Sequence, residues 1–351
     1  MRVAIVGAGL CGLATARAIA RSCPSAAVQV FESGPGEART AARSFRRHGT
    51  RILLSSGSRA ALQQLGIDPP PSNDPPRHLV YYDHAGSRPL YTVQAPSLDA
   101  VWLRRQLLTT EVQYGADVAD PQQLLDAFDV VIGCDGRRSV LRSAAADVIA
   151  EQTERDLGLR RITLDVPLAA FAAAQHHDLA FVGQRSIAIV ARYGDRLRAS
   201  LVTPSDVDND DLIAAYRRIT RDWLHPVRDL VDHLDPESVV DCDAIRDRDA
   251  PQVRCGDERV KVALAGEALW SLAPYTGHAA GVALADAAAI GKVLATDGAD
   301  LSKYWRHVQD AAAPFINEAR GMSQFIHSDD VADRLVDLQN RQQQQYGADH
   351  E

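Results

Sequence analysis

The sequence predicts an α/β protein in which a doubly wound parallel sheet is interleaved with a separate antiparallel sheet and followed by a helical C-terminus. Three observations predict this fold class. An apolar run at the N-terminus enters a glycine-rich turn and then an alanine-rich segment with helical spacing. Two later apolar runs also end in glycine, and several segments between them alternate apolar and polar residues.

The first apolar run, Val3 to Val6, leads into Gly7-Ala-Gly9-Leu-Cys-Gly12. A strand, a tight turn and a helix in this order predict a Rossmann-type dinucleotide site. Gly7 permits the turn, Gly9 lets the backbone approach a pyrophosphate, and Gly12 lets the helix pack closely on the strand. The anion would lie against the free N–H groups of the helix. A second strand, Val28 to Glu32, ends in an acid that can accept a ribose hydroxyl.

Length and composition indicate a protein with a large core and two domains, or one domain with a substantial insert. The chain has 351 residues, of which 46% are hydrophobic and 24% are charged. Its 38 basic and 46 acidic residues give a net charge of -8. This balance argues against a surface for nucleic acid or for an anionic membrane.

The cysteines and the N-terminus favour a cytoplasmic protein. The five cysteines form no C-x-x-C pair and no metal-like spacing, so we expect reduced thiols and no metal site. The first strand begins at residue 2, which leaves no room for a signal or transit peptide ahead of it. We also expect no membrane span, because no apolar run approaches the necessary length.

The middle of the chain combines short helices with alternating segments. The expected elements are, in order, a strand at 51–56, a helix at 58–65, a hairpin at 78–94, a helix at 98–108 and a buried strand at 129–133. Period-two alternation at 162–168, 179–182, 186–193 and 197–202 predicts a second sheet. Beyond it we expect a helix at 210–234, a strand at 260–266, a helix at 286–294 and a helical segment from 301.

Glycine-punctuated strand ends recur at three places. They are Gly7 to Gly12, Gly133-Cys-Asp-Gly136-Arg-Arg-Ser139-Val-Leu-Arg142, and Ala265-Gly266-Glu267 running on to Pro274-Tyr-Thr-Gly277-His278. In this order and spacing, across the whole chain, they resemble the FAD-dependent aromatic hydroxylases, the single-component flavoprotein monooxygenases of the p-hydroxybenzoate hydroxylase type.

The resemblance implies a discontinuous organisation. A Rossmann-type FAD-binding domain would comprise 1–77, 98–160 and 255–300, and an antiparallel-sheet substrate domain would comprise 78–97 and 161–254. The C-terminal helices would occupy 301–351.

The resemblance also implies which residues hold FAD. The ADP half would lie against Gly7, Gly9, Leu10, Cys11, Gly12 and Glu32. The ribityl-phosphate region would meet Arg104, the internal Asp-Gly motif would be Asp135 and Gly136, and the ribityl chain would meet Gly266 and Glu267. The isoalloxazine would lie against Pro274, Gly277, His278, Ala279 and Ala280.

Several positions depart from the family pattern. Glu267 stands in place of the usual Asp, and Leu269-Trp270 stands in place of Ala-His. His278-Ala279 replaces Gln-Gly, and Gly281 replaces Asn. We expect the ribityl contact to survive with one extra methylene, and the surface under the flavin to be unusual.

The activity implied by the resemblance is monooxygenation. NADPH or NADH would reduce FAD, O2 would add at the flavin C4a, and the hydroperoxide would hydroxylate or epoxidise a small aromatic or polyketide-like metabolite. Tyr275 and His278 are the candidates for a catalytic base, and Tyr81, His84 and Tyr193 are candidates for lining the substrate cavity. We expect a monomer or a homodimer.

Two alternatives stay open. The chain could be an FAD-dependent dehydrogenase or reductase that moves hydride without oxygen transfer. It could also be a flavin-binding protein without turnover, which the departures at Glu267, Leu269-Trp270 and Gly281 would explain. The residues name neither the substrate nor the choice between NADPH and NADH.

Overall fold

The computed structural model describes residues 1–37, 51–53, 56–68, 78–86, 88–94, 97–171, 174, 177–193, 196–204, 206–207, 210–254 and 259–348. It divides into two compact units. The first comprises Met1–Pro71, Ser97–Arg155 and Asp247–Arg320, and the second comprises Ser72–Pro96, Asp156–Arg246 and Gly321–Glu351.

In chain order the strands and helices are β1 (Arg2–Val6), α1 (Leu10–Ser22), β2 (Ala27–Glu32), β3 (Arg51–Leu53), α2 (Ser56–Gln64), β4 (His78–Asp83), β5 (Pro89–Gln94), β6 (Ser97–Asp99), α3 (Ala100–Leu107), β7 (Val112–Tyr114), α4 (Pro121–Ala127), β8 (Val130–Gly133), β9 (Glu154–Pro167), β10 (Asp178–Gly183), β11 (Ser186–Tyr193), β12 (Arg196–Thr203), α5 (Leu212–Ile219), α6 (His225–Arg228), β13 (Val240–Arg248), β14 (Val262–Leu264), α7 (His278–Asp297), α8 (Ser302–Ile326) and α9 (Val331–Ala348).

The first unit is built on a parallel sheet with the strand order β14-β8-β1-β2-β7. Its central strands are buried on both faces, which is why β1 and β8 are continuous apolar runs. A separate antiparallel pair, β3 with β6, belongs to the same unit. This is the Rossmann-like arrangement that the glycine-rich turns predict.

Helix α7 packs in the core of the first unit together with α1. Its buried residues Leu284, Ala287 and Ile290 belong to the same apolar cluster as Leu13 and Ile19 of α1. By length and composition α7 could cross a membrane, so the expectation that no apolar run approaches that length is wrong for this helix. Its many buried side chains are those of a core helix.

The second unit contains a sheet with the order β13-β9-β12-β11-β10-β4-β5. Most of the neighbours are antiparallel, as the alternating segments predict, but β4 and β10 are parallel. The sheet is therefore mixed, because the 78–94 hairpin is added to the meander by a parallel strand. Strand β13, which the sequence analysis missed, lies at its edge.

The predicted helix at 210–234 is interrupted. Helix α5 ends at Ile219, and the hydroxyl of its C-cap residue Thr220 donates to the carbonyl oxygen of Tyr216 at 2.8 Å. A new short helix, α6, then begins with Pro226 in its first turn. Pro226 suits the first turn of a new helix, but in a continuous helix it would lack the N–H that bonds to the carbonyl four residues earlier, and its ring would clash with that carbonyl, which explains the break ahead of it.

Candidate functional site

The three glycine-punctuated strand ends lie side by side at one edge of the parallel sheet. Val6 of β1 pairs with Gly133 of β8, and Gly133 pairs with Leu264 of β14. Just beyond these pairs, the N–H of Cys134 donates to the oxygen of Val6 at 2.7 Å, and the N–H of Ala265 donates to the oxygen of Gly133 at 2.9 Å. Segments far apart in sequence therefore form one edge, where ligands of parallel sheets bind.

The three glycines of the first turn have different surroundings. Gly7 has φ +99°, and a Cβ there would lie 2.4 Å from the oxygen of Cys134. A Cβ on Gly12 would lie 1.8 Å from the oxygen of Gly7, so helix and strand could not approach as they do. A Cβ on Gly9 would meet nothing within 4 Å. The backbone at Gly9 therefore faces open space, in which a ligand can approach it.

The N-terminus of α1 is available for an anion. Gly9 is its N-cap residue, with extended backbone, and no side chain caps the helix. The N–H groups of the first turn have no acceptors within an α-helix, and the positive end of the helix dipole adds to their attraction for negative charge. A phosphate in front of Gly9 would meet these groups directly.

Glu32 ends β2 beside this turn. Its Oε2 accepts from the N–H of Ala8 at 2.9 Å, and its Oε1 accepts from the N–H of Gly34 at 2.7 Å. A carboxylate has about four lone-pair directions, so these two bonds leave acceptor capacity for a hydroxyl group. The acid stands where the sequence analysis expects a ribose contact.

Arg104 on α3 reaches the same turn from the other side. It is 6% exposed and donates from Nη1 to the oxygen of Ala8 at 2.6 Å. Its Nε and Nη2 bind the two oxygens of Glu37 at 2.6 and 2.8 Å, and Tyr114 also donates to Glu37. Hydrogen bonds from Arg104 hold the pKa of Glu37 below its ordinary value, and burial raises the pKa of Tyr114 to about 12. The side chain of Arg104 thus stabilises the glycine turn by binding the backbone oxygen of Ala8.

The Asp-Gly motif follows β8. Oδ2 of Asp135 accepts from the N–H of Val140 at 2.7 Å, whereas its buried Oδ1 has no hydrogen bond of normal geometry within the described residues. Burial raises the pKa of Asp135. Gly136 has φ +81°, and a Cβ there would meet nothing within 4 Å. The motif therefore combines an unsatisfied buried acceptor with open backbone.

The turn after β14 is held from several sides. Gly266 has φ +57°, and a Cβ there would lie 2.9 Å from the Cβ of Cys11 in α1. From the Asp-Gly segment, Arg142 donates to the oxygen of Ala268. Burial lowers the pKa of Arg142 to about 10. Glu267 is exposed at the outer side of this turn.

Helix α7 begins at the last motif. Its N-cap residue Gly277 has left-handed backbone with φ 68°, and no side chain caps the helix. His278 Nε2 lies 3.0 Å from Glu318 Oε1 of α8, and its ring meets Phe315 edge-on with centroids 5.6 Å apart. Tyr275 is half-buried and Pro274 is exposed. The loop thus presents an uncapped helix N-terminus beside an oriented imidazole.

The residues predicted to line the substrate cavity lie in the second unit. Tyr81 is tilted against Tyr91 with ring centroids 5.9 Å apart, and burial raises its pKa to about 12. His84 packs over Gly183, where a Cβ would lie 2.0 Å from its Nδ1, and its ring meets Trp223 edge-on. The side chain of Tyr193 lies outside the described residues. The substrate roles of these residues stay predictions.

A shallow depression of about 630 Å³ lies elsewhere in the first unit. It is lined by residues including Met1, Cys23 and Asp129, at the amino ends of β1 and β8. Those are the strand ends opposite to the glycine turns. Ligand sites of parallel sheets lie at the carboxyl ends, so this depression carries no functional argument.

Five residues that support the site were not predicted from the sequence. They are Glu37, Tyr114, Gln152, Asp286 and Glu318. A signal existed for Asp286 alone, because it is the one acid in the apolar stretch Gly281–Leu294. The others are ordinary polar residues until the fold brings them to their partners.

The fold is that of the FAD-dependent aromatic hydroxylases. A model of the NAD(P)-binding Rossmann-like domain family matches residues 5–64. A search of curated protein sequences finds no match for the chain. The likeness to solved structures, in contrast, extends over nearly the whole chain.

Three solved structures represent this likeness. A variant of HpxO from Klebsiella pneumoniae, complexed with FAD, is 21% identical with a TM-score of 0.74, over 96% of this chain and 94% of that chain. A salicylate hydroxylase substrate complex is 18% identical with a TM-score of 0.68, over 99% and 95%. The 2,6-dihydroxypyridine-3-hydroxylase from Arthrobacter nicotinovorans is 16% identical with a TM-score of 0.68, over 93% and 92%. The resemblance inferred from the three motifs is thus confirmed at the level of the fold.

Proposed function

We propose that the protein is an FAD-dependent monooxygenase that uses NADPH or NADH and O2 to hydroxylate a small, electron-rich ring compound. The observation that carries the proposal is the adjacency of three glycine turns at the carboxyl edge of β1, β8 and β14. One turn with one helix N-terminus suits any dinucleotide. Three turns in a row suit a long cofactor that extends from its adenine end to a reactive ring.

The residues present fit FAD. The open backbone at Gly9 and the uncapped N-terminus of α1 suit a pyrophosphate. Glu32 retains acceptor capacity for a ribose hydroxyl. Asp135 offers an unsatisfied buried oxygen, and Glu267 is exposed beside it in the row of turns. We assign the ADP half to the first turn and the ribityl chain to the latter two.

The chain would contribute binding, orientation and electrostatics. FAD, when bound, supplies the redox and oxygen chemistry. The uncapped N-terminus of α7, behind Gly277, would stabilise negative charge on the ring that it faces. His278, held by Glu318, would be the group that accepts a proton from a substrate hydroxyl, with Tyr275 as the second candidate.

The substrate class is inferred from the neighbours. HpxO is crystallised with uric acid as well as FAD, and other neighbours are named for salicylate and 2,6-dihydroxypyridine. These compounds are planar rings that carry oxygen substituents. We therefore propose a planar, oxygen-substituted ring as the substrate of this chain.

Three measurements on one preparation test the proposal. The purified chain should bind FAD, NADPH or NADH should reduce the bound flavin, and O2 uptake should match the hydroxylated product in a screen of planar phenols and oxopurines. If NADPH or NADH is oxidised without matching O2 uptake and hydroxylated product, the result would contradict oxygen transfer and favour a dehydrogenase or reductase. Bound FAD that neither donor reduces, with any compound tried, would favour a flavin-binding protein without turnover.

A further inference from the structure

Asp286 is a buried carboxylate in the middle of α7. It is 6% exposed, and its neighbours along the helix are alanine, leucine and valine. Its Oδ2 accepts from the N–H of Gly266 at 2.9 Å and from Nε1 of Trp270 at 2.8 Å. No ion pair involves Asp286 within the described part of the chain. Burial of a carboxylate costs free energy of folding unless hydrogen bonds compensate for the lost water. Here the two hydrogen bonds hold groups of another segment, which an apolar side chain could not do.

The two donors are the first and the last residue of one turn. The N–H groups of Leu269 and Trp270 both donate to the oxygen of Gly266, at 2.9 and 2.7 Å. The turn closes on itself, and Trp270 folds back so that its indole reaches the carboxylate that already holds Gly266. Asp286 thus fixes both ends of the segment that carries Glu267.

Other residues hold the remaining polar groups of this turn. Arg142 donates to the oxygen of Ala268 and, at 2.8 Å, to Oε1 of Gln152. Gln152 Nε2 in turn donates to the oxygen of Leu269 at 3.3 Å. Side chains of α7 and of the Asp-Gly segment therefore position the turn from two sides, while Glu267 stays exposed.

Building on the proposed function, we propose that Trp270 and Asp286 are positioning residues, which hold the Gly266–Trp270 turn in the conformation that binds the ribityl part of FAD. Trp270 stands where the family resemblance places histidine. The indole N–H supplies the hydrogen-bond donor that this position needs, so the departure keeps the support of the turn. Cofactor binding then requires an ordered turn, and its apparent affinity scales with the fraction of molecules in which the turn is ordered.

The chain offers a matched control for this proposal. Trp305 is also buried in the first unit, and its Nε1 donates at 2.8 Å to a backbone oxygen, that of Val262. Trp270→Phe and Trp305→Phe therefore remove the same atoms and one hydrogen bond each. The first change releases the turn through Asp286, whereas the second only loosens packing beside β14.

The experiment measures FAD affinity of the full-length protein by quenching of flavin fluorescence, beside thermal melting. We expect Trp270→Phe to weaken FAD binding about 10- to 100-fold, because it leaves the buried Oδ2 of Asp286 without one of its two donors. Trp305→Phe should lower the melting temperature comparably and change FAD affinity less than about twofold. Trp270→His, which restores an N–H donor, should recover part of the affinity.

A second readout does not depend on the cofactor. Hydrogen exchange at the amide of Gly266 should accelerate in Trp270→Phe and in Asp286→Asn, and it should not change in Trp305→Phe. Equal FAD affinity for wild type and Trp270→Phe, or equal losses in the two Trp→Phe variants, would overturn the positioning role while leaving the proposed function intact. Failure of the wild-type chain to bind FAD would instead remove the proposed function, and this proposal with it.

Discussion

Arg104 Nη1 donates a hydrogen bond of 2.6 Å to the carbonyl oxygen of Ala8. The N–H of Ala8 donates to Glu32 at 2.9 Å, so this single alanine in the first glycine turn is held at both of its backbone polar groups. Glu37 in turn fixes the guanidinium of Arg104 with two parallel hydrogen bonds. The shape of the turn therefore depends on residues that need not touch a ligand.

Arg104→Lys should weaken FAD binding about tenfold, because lysine keeps the charge but cannot bind Ala8 and Glu37 together. Glu37→Gln should have a smaller effect, since the glutamine still offers one acceptor. Titration of both variants with FAD checks the order of the two effects. An affinity for FAD that is the same in wild type and Arg104→Lys would contradict the bracing role.

Glu37 also gives the ion pair an acid dependence. Its folded-state pKa lies below the ordinary value of 4.5 because of Arg104. The pair therefore contributes its stability above pH 4.5 and loses it as the pH falls through the lowered pKa. Since the Glu37 side chain is 40% exposed, we expect less than about 1 kcal/mol. Urea denaturation of wild type and Glu37→Gln at pH 7 and pH 3.5 should show the difference shrinking at the lower pH.

Two glycine substitutions separate ligand contact from packing. Gly9→Ala should leave the melting temperature nearly unchanged, because the added methyl meets nothing within 4 Å and the backbone φ of -71° suits alanine. It should weaken FAD binding tenfold or more if the pyrophosphate lies there (about 1.4 kcal/mol). Gly12→Ala should instead lower the free energy of unfolding by about 1–3 kcal/mol or more, because its methyl would collide with the oxygen of Gly7. Tight FAD binding by Gly9→Ala would place the pyrophosphate elsewhere.

The glycine turns could be predicted from sequence because their chemistry is local. A glycine at the end of an apolar strand predicts a left-handed turn or a close approach of another segment. In the structure Gly7 and Gly266 have positive φ, and a Cβ on Gly7, Gly12 or Gly266 would lie closer than 3.0 Å to another atom. The order of these turns along the chain also sufficed to predict the type of fold. That β1, β8 and β14 are neighbours follows from the topology of a doubly wound sheet.

The supports of the turns could not be predicted in this way. Arg142 meets Ala268, and His278 meets Glu318, only because the fold brings distant segments together. The parallel pairing of β4 with β10 was missed for the same reason, since alternation shows that a strand has two faces and says nothing about the direction of its partner. The break in the helix predicted at 210–234 could be predicted from the sequence, because a continuous helix does not accommodate Pro226 in its interior.

Asp286 should make the protein less stable as the pH rises from about 4 to 7. Burial raises its pKa from 3.8 to about 7, so the folded state holds a proton that the unfolded state releases. A raised folded-state pKa gives stability that is fully present below pH 3.8 and is lost as the pH passes through the folded value. The full difference corresponds to roughly 4 kcal/mol.

Asp286→Asn is the variant that checks this dependence. Cys11 and Tyr304, which face the same interior, have pKa values raised above the ordinary 9.0 and 10.0, so neither titrates in this range. Urea denaturation from pH 4 to pH 8 should give a shallower pH dependence for Asp286→Asn than for wild type. Parallel curves for the two proteins would show that Asp286 keeps one charge state throughout.

His278 is the first candidate for the catalytic base, and mutation can test this role. Its ring is held by Glu318 at 3.0 Å and by the edge of Phe315, so it is oriented at the start of α7, where the proposed function puts the reactive ring. Loss of a general base typically costs 10²- to 10⁴-fold in turnover. We therefore expect His278→Gln to lower kcat for hydroxylation at least about 100-fold, with little change in FAD affinity or in reduction of the flavin by NADPH. His307→Gln, which changes an exposed histidine of α8, is the matched control and should retain full activity. If His278→Gln instead loses FAD in proportion to its activity, the imidazole shapes the cofactor site and Tyr275 becomes the residue to test as the base.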